Sequence, residues 1–387
     1  MIICTFAVQI VFDMENPFVT NGYVGPDYFC DRVQETADIT DLLVNGNNLA
    51  LISPRRYGKT DLLRHCFAQE KIKSNYYTFI VDIYATKSLA DMVNKLGKSI
   101  LEELKPKGKR SWTAFLNVLS SVKAGVEYDA MGQPSWNLSL GQIQNPSNTL
   151  DEIFHYLQNA DRPCLVAIDE FQQILKYDDK NVEATLRTYM QYCSNAHFVF
   201  SGSQRHLMGG IFSSPSRPFY QSVTIINLQP IPKQKYVDFC VNHFEAADKR
   251  IDKDLVERLY DRFDGGTFYM QKVMNVLFMK TKAKGRCVMA DLEPAVSYII
   301  NFTAPTYEDL MYQLPDKQSQ VLKAISADGN AKQITSGDFA KRHGLVSASS
   351  VSSAVKALLD KDLITNDKGV FQVYDKFFDL WIRMREK

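Results

Sequence analysis

The chain has 387 residues, of which 45% are hydrophobic and 23% are charged. This length is too great for one hydrophobic core and predicts two or three domains. The 45 basic and 44 acidic residues leave a formal net charge of +1, so no overall basic balance indicates nucleic acid or a membrane surface, although a local basic patch is compatible with it.

The cysteines and the N-terminal segment bear on localisation. The seven cysteines are scattered and form no C-x-x-C pair, which predicts a reducing cytoplasm and no zinc site. Segment 2–12 is apolar but too short to span a bilayer, and no Lys or Arg precedes it. We therefore expect no membrane partner. Segment 2–12 is either a strand that packs on the body or the result of an early start codon, and we favour the latter, with Met14 as the natural beginning.

The main functional signal is the segment 53–60, Ser-Pro-Arg-Arg-Tyr-Gly-Lys-Thr. It follows a predicted buried strand at 48–52 and precedes a predicted helix at 61–67. A loop in this position directs backbone N–H groups and a helix N-terminus at one spot. We expect Lys59 to contact the β and γ phosphates of ATP and the Thr60 hydroxyl to ligate the bridging Mg²⁺.

The loop departs from the pattern G-x-x-x-x-G-K-[ST] in two respects. Ser53 replaces the first glycine, and Pro54 has no N–H to donate. Serine is small enough for a tight turn if its φ stays negative, and two arginines supply positive charge. The alternative is an ordinary loop and helix start, because Gly-Lys-Thr recurs by chance. The residues predicted to bind nucleotide here are Ser53, Pro54, Arg55, Arg56, Tyr57, Gly58, Lys59, Thr60 and Asp61.

After the loop, a strand and a helix continue the alternation of an α/β domain, and the region that comes next interrupts it. Residues 77–84 predict a second strand, and residues 88–104 predict a helix with one apolar face. Residues 105–148 predict a surface insertion that contains a hairpin, in which Trp112 and Trp136 serve packing.

An acidic pair ends the next apolar run. Asp169 and Glu170 directly follow the run at 164–168, as at the end of a central parallel strand. Two adjacent carboxylates are costly to bury unless a cation or donors meet them. We expect Asp169 to hold Mg²⁺ through water and Glu170 to accept a proton from the attacking water. The alternative is an acidic helix start, which the helix dipole favours by itself.

A polar turn ends the predicted fourth strand. A helix at 181–194 precedes the apolar strand 198–200, which runs into Ser-Gly-Ser-Gln-Arg. If this strand lies between the two that carry the loop and the acidic pair, its end faces the γ-phosphate. Ser203 or Gln204 is then the candidate to orient the attacking water. The alternative is a plain turn after a strand.

A loop arginine precedes the predicted fifth strand at 223–228. Arg217 lies on this loop, where a guanidinium could reach a phosphate across a subunit or domain interface as an arginine finger. A solvated loop arginine is the alternative.

The remainder of the chain is mostly helical and ends in a predicted winged helix-turn-helix. Helical patterns cover 234–246, 254–263 and 266–280. From residue 316, three short helices, a wing at 363–374 and a closing helix follow. A third helix that reads DNA should display Arg, Lys, Asn or Gln. Here it displays several serines and only Lys356, although nearby basic residues add charge. DNA contact and protein contact both stay open, and we favour protein contact or packing.

From residue 28 onward the chain resembles the AAA+-related ATPases of the STAND type, in the archaeal and bacterial group with a C-terminal winged helix. Residues 28–35 are similar to its F-x-G-R-x-x-E box, which implies that Phe29 and Arg32 contact the base and ribose. The segments 53–60 and 168–170 are similar to its G-P-R-R-x-G-K-T loop and its second acidic motif.

The resemblance extends to three further positions. Ser203 matches the sensor serine, and Arg217 lies where the family has an arginine before the last strand. The family's helical lid reads the bound nucleotide through a G-x-P motif, in which Thr267 replaces the proline here.

We therefore expect an N-terminal segment at 1–27 and an α/β P-loop NTPase domain with a five-stranded parallel, AAA+-like sheet at 28–229. A helical lid at 230–300 and a winged helix at 301–387 should follow. Two functions stay open: a Mg²⁺-dependent ATPase that works as a switch, and a DNA-binding regulator that keeps its nucleotide as a slowly hydrolysed structural cofactor. Both bind ATP or ADP, and self-association is compatible with either.

Overall fold

The computed structural model describes residues 16–119, 126–128, 132, 134–136 and 145–386. They divide into two compact units. We call Gly25–Ile231 the sheet unit, and the described residues of Met1–Val24 and Pro232–Lys387 the helical unit. Segment 2–12, and with it the choice between a packed strand and an early start codon, lies outside the described residues. No helix in the described ranges is both long enough and apolar enough to cross a membrane.

The sheet unit alternates strands and helices along its described residues. Its strands are β1 (Leu49–Ile52), β2 (Tyr77–Asp82), β3 (Val126–Tyr128), β4 (Pro134–Trp136), β5 (Cys164–Asp169), β6 (Ala196–Gly202) and β7 (Thr224–Asn227). Its helices are α1 (Val33–Val44), α2 (Lys59–Phe67), α3 (Glu70–Lys73), α4 (Leu89–Leu104), α5 (Lys109–Val118), α6 (Pro146–Asn159), α7 (Val182–Tyr192) and α8 (Arg205–Ser213). Short 3₁₀ turns lie at Pro26–Tyr28, Lys105–Lys107 and Phe171–Lys176.

Five strands form one parallel sheet in the order β2-β5-β6-β1-β7. The predicted five-stranded α/β fold is therefore confirmed. β6 lies between β1, which leads into the Lys59 loop, and β5, which ends in the acidic pair. Because parallel strands end at the same edge, the three polar strand ends converge there.

The sheet is buried on both faces, which explains its apolar strands. All four residues of β1 and all six of β5 are buried. Along β1, Ala50 and Ile52 belong to one core cluster, whereas Leu49 and Leu51 belong to another, which includes Leu62 of α2. Successive residues of a strand point to opposite faces, so a continuous apolar run serves two cores.

Helix α5 differs from the expectation of a surface insertion over 105–148. Trp112, Phe115 and Leu116 are buried in the main core of the sheet unit, and the Phe115 ring packs edge-on against Tyr156 of α6 at 4.9 Å. The basic residues at the start of α5 concealed its buried face from the sequence pattern. The predicted hairpin is present as the antiparallel pair β3–β4. The Trp136 side chain lies outside what the structure describes.

The helical unit contains mostly helices in its described part. They are α9 (Lys233–Ala246), α10 (Lys253–Arg262), α11 (Thr267–Lys280), α12 (Leu292–Tyr312), α13 (Asp316–Asp328), α14 (Gly337–Arg342), α15 (Ala348–Asp360) and α16 (Lys376–Arg385), with a 3₁₀ turn at Met289–Asp291. Its strands are β8 (Arg250–Ile251), β9 (Arg286–Cys287), β10 (Ala331–Lys332), β11 (Ile364–Asp367) and β12 (Val370–Val373). The pair β8–β9 is parallel and was not predicted, because two-residue strands leave no periodic signal.

The described residues that precede the sheet unit pack within the helical unit. Phe18 is fully buried, and its ring lies 5.8 Å from that of Phe244 and 5.7 Å from that of Phe278. The Asn275 side chain donates to the Phe18 carbonyl at 2.9 Å.

The C-terminal region forms the predicted winged helix. β10, β12 and β11 make an antiparallel sheet, and α13, α14 and α15 supply buried apolar side chains. Those side chains include Val321, Leu322, Ile325, Phe339, Val351, Val355 and Leu358. Ser326 of α13 is fully buried and donates to the Asp379 carboxylate of α16 at 2.6 Å.

Candidate nucleotide site

The loop between β1 and α2 is the first component of the site. Two of its residues have left-handed backbone conformations, Arg56 with φ 67° and Gly58 with φ 80°. Glycine adopts this conformation without steric cost, and Gly58 directly precedes Lys59, the first residue of α2. The loop therefore brings Lys59 and the N-terminus of α2 to the carboxyl edge of the sheet.

Ser53 occupies the position where the loop pattern has glycine. It is fully buried, its N–H donates to the Gly202 carbonyl of β6 at 3.3 Å, and its hydroxyl donates to the Pro54 carbonyl at 3.0 Å. Ser53 does not have a positive φ. Because this position needs no left-handed backbone, serine replaces glycine without strain.

Lys59 is a buried cation. It is only 6% exposed, and its Nζ donates to the carbonyls of Ser53 and Pro54 at 3.3 and 3.4 Å. Burial lowers the pKa of Lys59, while the carboxylates of Glu170 and Asp169 act against that shift. A buried ammonium whose described hydrogen bonds are long and reach neutral carbonyls is poorly compensated. The position of Lys59 therefore suits an anionic ligand.

The loop and the acidic pair meet at one hydrogen bond. Thr60 Oγ1 donates to Asp169 Oδ2 at 2.5 Å, and Asp169 is only 6% exposed. Magnesium prefers oxygen ligands and usually takes one or two carboxylates together with water and phosphate oxygens. Among the described residues, no group of three or more His, Cys, Asp or Glu could hold a metal by itself. Thr60 and Asp169 therefore fit a Mg²⁺ that a phosphate ligand completes.

Glu170 directly follows β5, and its carboxylate accepts hydrogen bonds from the side chains of two separate segments. Its φ of 55° is left-handed. Its Oε2 accepts hydrogen bonds from Ser203 Oγ at 2.8 Å and Gln172 Nε2 at 2.5 Å. Arg55 Nε donates to the same Ser203 hydroxyl at 3.1 Å, and its guanidinium lies 5.3 Å from the Tyr84 ring centre. One chain of hydrogen bonds thus links the phosphate loop, the end of β6 and the carboxylate.

Phe29 and Arg32, predicted to contact the base and ribose, lie close to α1 and α2. The Phe29 ring stacks on His65 of α2 with centroids 4.3 Å apart. Arg32 is 2% exposed and its Nη1 donates to Glu35 at 2.6 Å. Its Nη2 is buried without a hydrogen-bond partner among the described residues. A buried guanidinium with an unused donor is compatible with a polar ligand group at this end of α1.

Arg217 has a partner within the sheet unit. Its guanidinium forms an ion pair with Glu183 of α7, and the Arg217 side chain is 37% exposed. Burial raises the pKa of Glu183, and Arg217 opposes this shift. In this structure Arg217 is therefore held by α7.

Three further residues were predicted at the site, Asp61, Tyr57 and Gln204. Asp61 lies in the first turn of α2, where burial raises its pKa and Arg64 opposes the shift. Tyr57 is partly buried in the loop. Gln204, the alternative to Ser203, is the residue before α8, whereas Ser203 contacts Glu170 directly.

Two residues at this edge were not predicted, Gln172 and Tyr84. Gln172 lies two positions after Glu170 and is 3% exposed, and Tyr84 follows β2 and contacts Arg55. The available signal was a pair of glutamines, Gln172 and Gln173, between apolar residues directly after the acidic pair. Sequence spacing alone does not show which way such a side chain turns.

Comparison with known families decides the assignment. A family model described as an ATPase domain predominantly from Archaea matches residues 29–273, which is more than half of the chain. The chain belongs to this ATPase family. A model described as a probable winged helix domain matches residues 305–384. No curated protein matches the chain.

Solved structures share the fold at low sequence identity. The Walker-type ATPase of Pyrococcus abyssi is 15% identical, with a TM-score of 0.63 over 95% of this chain and 99% of that one. The ORC2 protein of Aeropyrum pernix in ADPNP–ADP complexes is 14% identical, with a TM-score of 0.56 over 96% and 98%. The ORC1 protein of the same organism in complex with DNA is 14% identical, with a TM-score of 0.53 over 93% and 94%.

The family member described here is thus a nucleotide-binding P-loop ATPase of AAA+-like fold with a C-terminal winged helix.

Proposed function

We propose that this ATPase is Mg²⁺-dependent and works as a nucleotide-driven switch of the STAND type, coupled to its winged helix. The observation that carries the proposal is the hydrogen bond between Thr60 and Asp169, with Lys59 and Glu170 beside it. A cation, a metal-ligand pair and a carboxylate base are the groups that phosphoryl transfer to water requires.

Four residues of the loop hold the nucleotide in this proposal. Lys59 supplies positive charge to the β and γ phosphates, and the N-terminus of α2 supplies N–H groups. Thr60 and Asp169 would hold Mg²⁺, which would neutralise charge on the phosphate oxygens. Arg55 and Arg56 add charge where Pro54 lacks a donor.

Glu170 is the proposed general base. A carboxylate accepts a proton well only when an oxygen is within hydrogen-bond reach of the attacking water. Ser203, which donates to Glu170 Oε2, orients the carboxylate and the water. The roles of Phe29 and Arg32 in base and ribose contact belong to the same proposal.

Arg217 acts in this proposal as an arginine finger that reaches a phosphate across a subunit or domain interface. Its ion pair with Glu183 would then be exchanged for a phosphate contact. If the phosphate belongs to another subunit, self-association is part of the proposed switch.

The switch couples ATP turnover to the C-terminal region. Hydrolysis at Glu170 changes the angle between the nucleotide domain at 28–229, the lid at 230–300 and the winged helix at 301–387. The scattered cysteines support a cytoplasmic location.

The test is phosphate release by purified protein with ATP and Mg²⁺. Wild type should release phosphate, Glu170→Gln should bind ATP but release phosphate much more slowly, and Lys59→Ala should bind weakly. Equal release by wild type and Glu170→Gln would show that the catalytic assignment is wrong. The nucleotide that copurifies with the protein tests binding independently.

The alternative is a DNA-binding regulator with a structural nucleotide, for which the winged helix match is the supporting observation. Basic residues near α15 are partly occupied: Arg342 pairs with Asp328, and Lys361 donates to Gln318 at 2.9 Å. Duplex binding that weakens steeply with salt would favour the regulator, whereas absent or salt-insensitive binding counts against it.

A further inference from the structure

Gln172 is a buried amide beside the proposed base. It lies in the 3₁₀ turn Phe171–Lys176 that follows β5, and it is only 3% exposed. Its Nε2 donates to Glu170 Oε2 at 2.5 Å and lies 3.4 Å from Ser203 Oγ. Burying an amide away from water is unfavourable unless its hydrogen bonds are made.

The Gln172 amide is only half satisfied. Its carbonyl oxygen is buried and has no donor among the described residues. An apolar side chain of similar volume would fill the same space without that penalty. Core packing therefore does not explain an amide at this position, and the contact with Glu170 does.

The backbone of β6 leaves space for the Gln172 amide because position 202 is glycine. A Cβ at Gly202 would lie 2.5 Å from Gln172 Oε1 and 2.3 Å from Met208 Sδ. Gly202 has no positive φ, so backbone freedom is not the reason for glycine here. Gly202, the last residue of β6 and the residue before Ser203, thus makes room for the Gln172 side chain.

The two donors act on one oxygen of the carboxylate. Ser203 Oγ and Gln172 Nε2 both donate to Oε2, from the end of β6 and from the turn after β5. Both hydrogen bonds that the structure describes for the Glu170 carboxylate fall on Oε2. Fixing Oε2 on two sides limits rotation of the carboxylate and leaves Oε1 to accept a proton.

We propose that Gln172 is a positioning residue that anchors Glu170 Oε2 and thereby assigns proton acceptance to Oε1. This inference rests on the proposed ATPase function. In this step the water oxygen bonds to the γ-phosphorus of ATP, the bond from that phosphorus to the bridging oxygen breaks, and ADP leaves with the electron pair. The proton of the water goes to Oε1, and the amide of Gln172 is unchanged.

The decisive variant is Gln172→Met, which keeps the volume and removes the donor. We expect kcat for phosphate release to fall by about tenfold or more, because orientation of a general base is lost. KM for ATP and the Kd for ADP should stay within about twofold of wild type. The midpoint of urea unfolding should be unchanged or higher, because an unsatisfied buried carbonyl is removed.

The matched control is Gln173→Met in the same turn. The Gln173 side chain donates to the Thr86 carbonyl at 2.9 Å, away from the Glu170 carboxylate. Its backbone N–H donates to the Glu170 carbonyl at 2.9 Å, and the substitution keeps this contact. Its kcat should stay within about twofold of wild type. The proposal is overturned if Gln172→Met keeps its kcat or turns over faster, or if only KM changes.

A measurement without turnover separates this proposal from the proposed function. In protein labelled with ¹⁵N at glutamine side chains, the Gln172 amide is identified by its loss in Gln172→Met. It should exchange slowly with water and shift in Glu170→Gln. Rapid exchange or an unmoved resonance would refute the anchor. Wild-type phosphate release no greater than that of Lys59→Ala would instead refute the ATPase function, and the amide spectrum would still decide the role of Gln172.

Discussion

Serines lie both at the carboxyl edge of the five-stranded sheet and along α15 of the winged helix, in very different surroundings. Ser53 and Ser203 are buried. The Ser53 hydroxyl donates to the Pro54 carbonyl within the phosphate loop, and the Ser203 hydroxyl donates to Glu170. On α15, Ser352 and Ser353 are exposed, and the Ser353 hydroxyl donates to the Ser349 carbonyl one turn earlier.

The difference shows how polar residues indicate function. A buried polar group is unfavourable unless a partner or ligand compensates it, so a buried polar cluster at a strand edge indicates a ligand site. An exposed serine has water as a partner and carries no such information. The basic residues near α15 add little, because Arg342 and His343 both contact Asp328.

The largest expected effect comes from removing a buried cation, compared with removing an exposed one. Lys59→Ala should weaken ATP binding by about 2–5 kcal/mol, or at least ~30-fold in Kd, because a buried charge contact with phosphate is lost. Lys356→Ala on the exposed face of α15 should leave the Kd unchanged. Titration with a fluorescent ATP analogue measures both. A Kd for Lys59→Ala within threefold of wild type would break the comparison.

Within the winged helix, a buried and an exposed serine should differ in stability. Ser326→Ala should lower the free energy of unfolding by about 1–3 kcal/mol, because the Asp379 carboxylate loses the Ser326 donor. Burial already raises the pKa of Asp379, and both Ser326 and Arg383 oppose that shift. Ser353→Ala is the control and should have little effect. Urea unfolding measures the difference, and equal stabilities would contradict the argument from burial.

The effect of Mg²⁺ on ATP binding should depend on Asp169 and not on Asp82, although both residues lie at the ends of neighbouring strands. Asp82 and Asp169 are paired in register, but Asp82 is exposed. Chelating Mg²⁺ should weaken ATP binding by wild type by about tenfold, and Asp169→Asn should show little response. Asp82→Asn should respond as wild type does. Calorimetric titration with and without chelator is the measurement, and a normal response of Asp169→Asn would remove Asp169 from the metal site.

The smallest effect is expected on the exposed face of α15. Ser352→Ala should raise the free energy of unfolding by at most about 0.5 kcal/mol, because alanine favours helices more than serine does. Thermal unfolding measures the change. A clear loss of stability would mean that this serine face is covered by another surface.

The buried strands and the phosphate loop were accessible from the sequence, whereas the order of the strands in the sheet came from the structure. Apolar runs at 48–52 and 164–168 predicted buried strands, and Lys59 and Asp169 followed from their strand ends. Such signals are local, because a strand and its adjacent loop are continuous in the chain. The burial of α5 was not accessible, because its basic residues concealed a short apolar face around Trp112 and Phe115.

The sequence by itself determined the phosphate loop, the acidic pair and the winged-helix pattern, since each depends on the spacing of neighbouring residues. Only the tertiary structure decided that Gln172 and Ser203 share one oxygen of Glu170 and that Arg217 pairs with Glu183. These contacts join residues from separate elements. Their geometry depends on how helices and strands pack, which no local periodicity encodes.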